Sequence, residues 1–252
     1  MPHSESFGRN RKEALDQPKT EAMKNFETSL EPLLGLTVRL IPKDVSSALK
    51  SLQRKIKRSQ QAPPPIKMGF LQRDVDKITT GIKNYLAIKD FLFEWMSVMM
   101  VTFLEGYLED ALISLATKNP KLMKDAPPID HNRTLEVDSI DELRNEVRQQ
   151  WAHDFLRPGG PDTWLRGLKN MGARGYDEKA TLELQQLWDT RNLIVHSRGT
   201  ASVAYARKYG VKKGERIKVS ISQFQCWLDS IKSFTICTDA FFLKYGEARR
   251  NN

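Results

Sequence analysis

The chain has 252 residues, of which 40% are hydrophobic and 28% charged, the balance of a globular protein rather than of a disordered or membrane-embedded one. Forty Lys and Arg against 31 Asp and Glu give a formal charge of +9, which favours polyanionic partners such as nucleic acid. The two cysteines, Cys226 and Cys237, stand in no Cys-x-x-Cys arrangement, and no His-x-x-x-His pair occurs. Core packing is therefore the expected role of the cysteines, and we expect no metal and no cofactor.

Residues 1–65 are predicted to form a basic N-terminal extension. The polar residues 1–28 predict disorder and contain no apolar signal-peptide core. The more apolar residues 30–41 predict a short strand or turn. Three consecutive prolines at 63–65 break the chain and mark a boundary.

One helix is predicted within this extension, from a capping Asp44 to about residue 59. Its apolar residues recur at helical spacing, and the opposite face is basic and includes Lys55 and Arg58. A basic face of this kind is either solvated or a strip that binds phosphates, and the sequence leaves both interpretations open.

Residues 66–252 are predicted to form one all-α domain. Two helical segments are expected first, one ending near Ala87 and a long one starting at Asp90 and running to residue 118. Glu105 falls within the apolar stripe of the long segment. It is either a boundary residue whose carboxylate reaches water or a buried partner that orients an arginine.

The middle of the chain is predicted to be a helical insertion. Ser139 and Glu142 form a capping-box pattern that opens a helix to about residue 155, and a short helix is expected over 162–170. Residues 200–209 are ambiguous. Alternation over 216–220 predicts a short strand, and Ser222 opens a last, aromatic helix.

The most informative segment runs from Arg191 to His196. Asp177 is a suitable N-cap for a helix that extends to Ser197, and Gly199 stands where a left-handed cap is expected. Arg191 falls within the apolar stripe of this helix, where burying a guanidinium without a partner is costly. With Asn192 and His196 nearby, this pattern indicates a site that holds an anion.

Each of these residues also has a purely structural interpretation. Arg191 is an ordinary structural arginine if it pairs with Glu105 or Asp189. His196 is an ordinary C-terminal residue if the helix dipole alone favours it. The sequence does not decide between these interpretations and a functional site.

The pattern Arg191-Asn192-x-x-x-His196 on a late helix resembles the signature of the HEPN superfamily (higher eukaryotes and prokaryotes nucleotide-binding domain). Residues 94–110 resemble that family's long early helix, and residues 211–222 with the following aromatic helix resemble its closing segment. The resemblance covers about residues 75–245. It implies a HEPN-like helical bundle and a homodimer formed through the motif helices.

The resemblance also implies a metal-independent endoribonuclease, and a toxin or antiviral defence effector with an antitoxin partner is the role that it suggests. Histidines ordinarily titrate at about pH 6.5, so His196 is suited to general acid–base catalysis, and the Arg191 guanidinium is suited to phosphate. Asn192 completes the expected catalytic set, and Arg198 is an expected RNA contact. The alternatives are a non-catalytic RNA- or nucleotide-binding module and a helical dimerisation scaffold.

No segment of the chain is predicted to cross a membrane. The longest apolar run, residues 95–104, lies between Glu94 and Glu105 and is too short to span a bilayer. We therefore expect a soluble, cytoplasmic protein.

Overall fold

The computed structural model describes residues 18–39, 67–124, 126, 136–157 and 159–247. These residues form seven α-helices: α1 Glu21–Arg39, α2 Lys67–Lys118, α3 Ile140–Leu156, α4 Pro161–Asn170, α5 Glu178–Ser197, α6 Val203–Tyr209 and α7 Ile221–Glu247. A 3-10 helix, Pro120–Met123, follows α2. The described residues contain no β-strand, and their only ladder-type pairing is a single bridge between Thr200 and Arg216. The prediction of an all-α fold is confirmed.

Local capping explains why several helices begin where the sequence predicts. Ser139 accepts a hydrogen bond from the Glu142 backbone N–H at 3.1 Å at the start of α3. The Glu142 carboxylate in turn accepts one from the Asp138 N–H at 3.2 Å, one residue earlier than in the standard capping box. Pro161 occupies the first position of α4, where its missing N–H costs nothing.

The N-terminal prediction is wrong over the part that the structure describes. Residues 21–28 are helical where disorder is predicted, and residues 30–39 continue α1 rather than forming a strand or turn. Thr20 caps α1, because its hydroxyl accepts from the Met23 N–H at 3.1 Å. The helix then continues through Pro32, which sequence rules alone treat as a breaker. The predicted helix over 44–59 and the prolines at 63–65 lie outside the described residues.

The early helical region is one helix rather than two. α2 runs without interruption through residues 87–90, where the sequence predicts a break. No proline or glycine occurs over 82–90, so nothing in the chain terminates the helix there. Similarly, the strand predicted over 216–220 is wrong, since only the single bridge at Arg216 forms.

The described residues form two compact units. Those that lie within 18–29, 101–188 and 226–247 form unit 1, and those that lie within 30–39, 67–100 and 189–225 form unit 2. None of the described helices is long and apolar enough to cross a membrane.

Unit 1 is built around large, fully buried side chains. Trp164 of α4 has no exposed surface, and its indole N–H donates to the Leu156 carbonyl at 2.8 Å, which ties α4 to α3. Tyr107 of α2 stacks at 5.4 Å on Phe26 of α1 and donates to the Thr235 carbonyl of α7 at 3.3 Å. Each such side chain contributes roughly 1.5–3 kcal/mol through burial.

A buried carboxylate anchors the start of α1 in unit 1. Asp239 of α7 is only 4% exposed. It accepts a hydrogen bond from the Thr20 N–H at 3.1 Å and a second one from the Thr20 hydroxyl. A negative charge at a helix N-terminus is favourable, and these bonds satisfy the buried charge.

Unit 2 has its own smaller core. Phe93, Met96 and Met100 of α2 are buried, and the Phe93 ring packs at 5.5 Å from that of Phe224 at the start of α7. A second cluster joins the end of α5 to α6 and the following loop, and it contains Leu193, Ala201 and Tyr205 with Tyr209, Val211 and Ile217 packed against them.

Candidate functional site

The helix that carries the motif forms as the sequence predicts. Asp177 caps α5, since its carboxylate accepts from the Ala180 N–H at 3.0 Å. The helix spans Glu178–Ser197, which matches the predicted bounds. The motif therefore occupies its last two turns, and its residues belong to unit 2.

Arg191 and Asn192 contact each other directly. Nη1 of Arg191 donates to Oδ1 of Asn192 at 3.0 Å, and the Nε atom of the same guanidinium is buried. Both residues are half-buried. The amide oxygen of Asn192 therefore helps to orient the guanidinium.

His196 is exposed, whereas Arg191 and Asn192 are half-buried. Its side chain is exposed on the last turn of α5, next to Val195, which is 49% exposed. None of the described residues forms a hydrogen bond or an ion pair with its imidazole. The ring is therefore accessible to a ligand on this surface.

The backbone turns sharply just after the motif. Gly199 adopts a φ of +74°, which confirms the predicted left-handed cap, but Arg198 is also left-handed, with a φ of +51°. Such a backbone costs an arginine roughly 1–3 kcal/mol. It is held by a bond from the Gly199 N–H to the Leu193 carbonyl and by one from the Ile217 N–H to the Gly199 carbonyl, both at 2.8 Å. Arg198 itself is exposed.

Helix α6 clamps the end of α5 from one side. The hydroxyls of Thr190 and Tyr205 lie 2.8 Å apart, and burial raises the pKa of Tyr205. The Asp189 carboxylate accepts from the Tyr209 hydroxyl at 2.7 Å and from the Lys208 ammonium at 2.9 Å. Asp189, one of the two carboxylates expected beside Arg191, thus contributes to this clamp.

Three further residues were predicted to belong to the site: Glu105, Lys55 and Arg58. Glu105 is half-buried in α2 and belongs to unit 1, so its role as an orienting carboxylate stays a prediction. Lys55 and Arg58 lie outside the described residues. No group of three or more His, Cys, Asp or Glu side chains suited to a metal ion occurs among the residues that the structure describes.

A strongly basic segment follows the motif, and no predicted site residue beyond Arg198 lies in it. Residues 198–218, called here the basic segment, contain seven Lys or Arg and one Glu. All seven cations are exposed. The signal was available as a simple count along the chain, but the sequence interpretation divided this region into an ambiguous stretch and a strand.

Three of the cations pair with carboxylates of unit 2. Lys208 binds Asp189, as described above. Arg216 donates to both oxygens of Glu94, at 3.0 and 3.2 Å, and Lys218 lies 3.8 Å from Asp90. The other four cations form no ion pair within the described part of the chain: they are Arg198, Arg207, Lys212 and Lys213. The basic segment that follows His196 therefore carries positive charge that the described residues do not neutralise by ion pairs.

Comparisons with models of known protein families, with curated proteins and with solved structures give no match.

Proposed function

We propose that this chain is a metal-independent endoribonuclease, and that it cleaves RNA by using the 2′-hydroxyl of the substrate as nucleophile. The observation that carries the proposal is the surroundings of His196. An exposed imidazole lies five residues beyond a guanidinium that an amide orients, and the helix leads directly into the basic segment. Such a surface has a group that can transfer a proton, a guanidinium that can bind a phosphate, and positive charge that attracts RNA.

The chemistry needs two proton transfers. In the first, an imidazole takes the proton of the 2′-hydroxyl while that oxygen attacks the phosphorus. In the second, the bond from phosphorus to the 5′-oxygen breaks, and the leaving oxygen receives a proton. The products are a 2′,3′-cyclic phosphate and a 5′-hydroxyl. Arg191 binds the phosphate oxygens on which negative charge increases, and Arg198 contacts the backbone.

One His196 per chain serves only one of the two transfers at a time. We propose that a homodimer formed through α5 supplies the second imidazole. The exposed Val195 next to His196 supports this arrangement, because an apolar side chain at that place gains from burial against a partner. In the cell, such an enzyme acts on cytoplasmic RNA, and a toxin or antiviral effector controlled by an antitoxin is the role that the HEPN resemblance implies.

A non-catalytic RNA- or nucleotide-binding module is the second candidate. The basic segment favours it, since binding a polyanion requires the exposed cations but not the imidazole. The two candidates differ in what His196 does.

The test compares the wild-type chain with three variants on mixed cellular RNA in EDTA. We expect cleavage by the wild type, none by His196→Ala, and a large loss with Arg191→Ala. The matched control is His153→Ala, which removes an exposed histidine of α3 and should cut at the wild-type rate. Circular dichroism must show that the variants are folded. If His196→Ala cuts RNA as well as the wild type, the proposal fails; RNA that is bound but uncut by every form supports the binding module.

A further inference from the structure

A strip of large apolar side chains is exposed on α2 in unit 2. Phe91 is 63% exposed and Trp95 is 44% exposed, and they stand four residues apart on one ridge of the helix. Ile88, one turn earlier, is 57% exposed. Single exposed apolar residues are common, but three on one ridge, including two aromatic rings, mark a surface that contacts something.

The basic segment is attached to the neighbouring ridge of the same helix. Glu94, which directly precedes Trp95, holds the guanidinium of Arg216 through both carboxylate oxygens. Asp90, which directly precedes Phe91, lies 3.8 Å from the ammonium of Lys218. Arg216 remains 64% exposed and Lys218 75% exposed in their side chains, so both stay accessible from solvent. The exposed rings and the ion pairs of the two exposed cations thus occupy neighbouring ridges of α2.

These ridges are linked to the motif through the backbone. The Thr200–Arg216 bridge and the bond from Ile217 to Gly199 place the end of the basic segment against the turn that follows His196. The path from the imidazole to the aromatic strip therefore runs through described contacts within unit 2 alone.

We propose that Phe91 and Trp95 are a stacking platform for the unpaired bases of single-stranded RNA, with Arg216 and Lys218 contacting its phosphates. Proteins that bind single strands combine a basic track with aromatic rings on which bases stack. A duplex does not fit this surface, because its base faces are hidden in its own stack. Aromatic residues and arginine also occur in protein interfaces, but lysine is depleted there, so Lys218 beside this strip favours RNA over a protein partner. This inference rests on the proposed function, because it names single-stranded RNA as the substrate class of the site around His196.

The experiment measures binding separately from cleavage. A short unstructured oligonucleotide with 2′-O-methyl riboses cannot be cut by the proposed chemistry, and its binding to the full chain is followed by fluorescence anisotropy at fixed salt. The variants are Phe91→Leu and Trp95→Leu, which retain apolar bulk and helix propensity but remove the ring. Ile88→Ala is the control, because it shortens the same strip without removing an aromatic ring.

We expect each leucine variant to weaken binding by about 5- to 150-fold, which corresponds to the loss of one stacked base. Ile88→Ala should bind as the wild type does, and a matched duplex should bind more weakly than the single strand. Unchanged binding by both leucine variants, or equal affinity for the duplex, would overturn the platform. An equal loss of RNA affinity with Ile88→Ala would also overturn the platform, because it would mean that the strip is an apolar docking face. If that variant also dissociates a dimer, the partner on this face is a second copy of the chain.

The outcome is distinguishable from a failure of the proposed function. Weaker binding by the leucine variants, together with natural RNA that no form cuts, supports the platform and rejects the nuclease. If the wild type cuts RNA and the leucine variants bind and cut it equally well, the result supports the nuclease and rejects the platform.

Discussion

Replacing Gly160 with alanine should destabilise unit 1 severely, because the structure leaves no room for a single methyl group. Gly160 caps α4 with φ +75° and ψ −168°, a region of backbone space that is essentially restricted to glycine. A Cβ atom there would lie 2.6 Å from two ring atoms of Trp188 and 2.9 Å from a third. Trp188 has little freedom to move away, since its ring packs edge-on at 5.0 Å from that of the fully buried Trp164.

The magnitude follows from two costs. The backbone strain is roughly 1–3 kcal/mol, and forcing a methyl group into a packed contact adds about 1–3 kcal/mol. We therefore expect Gly160→Ala to lower the free energy of unfolding by about 4 kcal/mol, a large part of the roughly 5–15 kcal/mol that folded domains have. The corresponding fall in melting temperature is on the order of 10 °C.

The matched control is Gly175→Ala. Gly175 also belongs to unit 1 and has a φ of +88°, but a Cβ atom there would meet nothing within 4 Å. It carries the strain without the collision, so its expected cost is about 1–3 kcal/mol. Urea denaturation followed by circular dichroism measures both variants. If Gly160→Ala costs no more than Gly175→Ala, the collision with Trp188 is not the limiting contact and the reasoning is refuted.

Three further predictions concern buried polar groups. Burial raises the pKa of Tyr176 to about 12, whereas an unfolded tyrosine titrates at about 10. Because the folded state keeps the proton of Tyr176 to a higher pH than the unfolded state does, the free energy of unfolding should fall as the pH rises from about 10 to about 12. Denaturation midpoints of Tyr176→Phe should depend less on pH over this range. A pH profile equal to that of the wild type would contradict the prediction. Asp239→Asn weakens the anchor at Thr20 and should cost about 1–3 kcal/mol, so limited proteolysis should cut α1 faster, and unaltered resistance would count against the anchor. Glu94→Gln should weaken the ion pair with Arg216 and lower the stability measured by thermal unfolding by about 1 kcal/mol. RNA binding should not weaken, because the substitution also removes a negative charge next to Arg216. A clear loss of RNA affinity would contradict this reasoning.

The helices that the sequence predicted well are those with local end signals. Asp177 and Ser139 cap α5 and α3 by bonds to residues three positions away, so their effect is visible in a short window of sequence. α1 was missed although Thr20 caps it locally, because Pro32 within the helix predicts a break and the second contact at its start is not local. Thr20 binds Asp239, which is 219 residues distant, and no pattern around Pro32 reveals this.

The false strand over 216–220 shows how a correct pattern can be misinterpreted. Ile217 and Val219 are turned inward and Arg216, Lys218 and Ser220 are exposed, so the predicted alternation of burial is present. A strand also requires a partner with which to exchange several backbone hydrogen bonds, and here only Thr200 pairs. The alternation of apolar and polar residues therefore predicted correctly which side chains are buried, but it did not predict the secondary structure.

The candidate site could be predicted only in part. The positions of Arg191 and His196 on the last turns of α5 follow from helix periodicity. The contact of Arg191 with Asn192 does not, since neighbours on a helix do not normally face each other and only long side chains can bend back. The clamp by Tyr205 and Tyr209 was also invisible, because it depends on how α6 folds back onto α5.

The central claim is that the substrate's own 2′-hydroxyl attacks its phosphate with the help of His196. The most direct measurement uses an RNA that the chain cuts at one mapped position, compared in EDTA with the same RNA carrying a single 2′-deoxynucleotide at that position. We predict that the natural RNA yields a 2′,3′-cyclic phosphate and a 5′-hydroxyl, and that the deoxy-substituted RNA stays intact there. Cleavage of the deoxy-substituted RNA at that position, or fragments that carry a 5′-phosphate, would contradict the account.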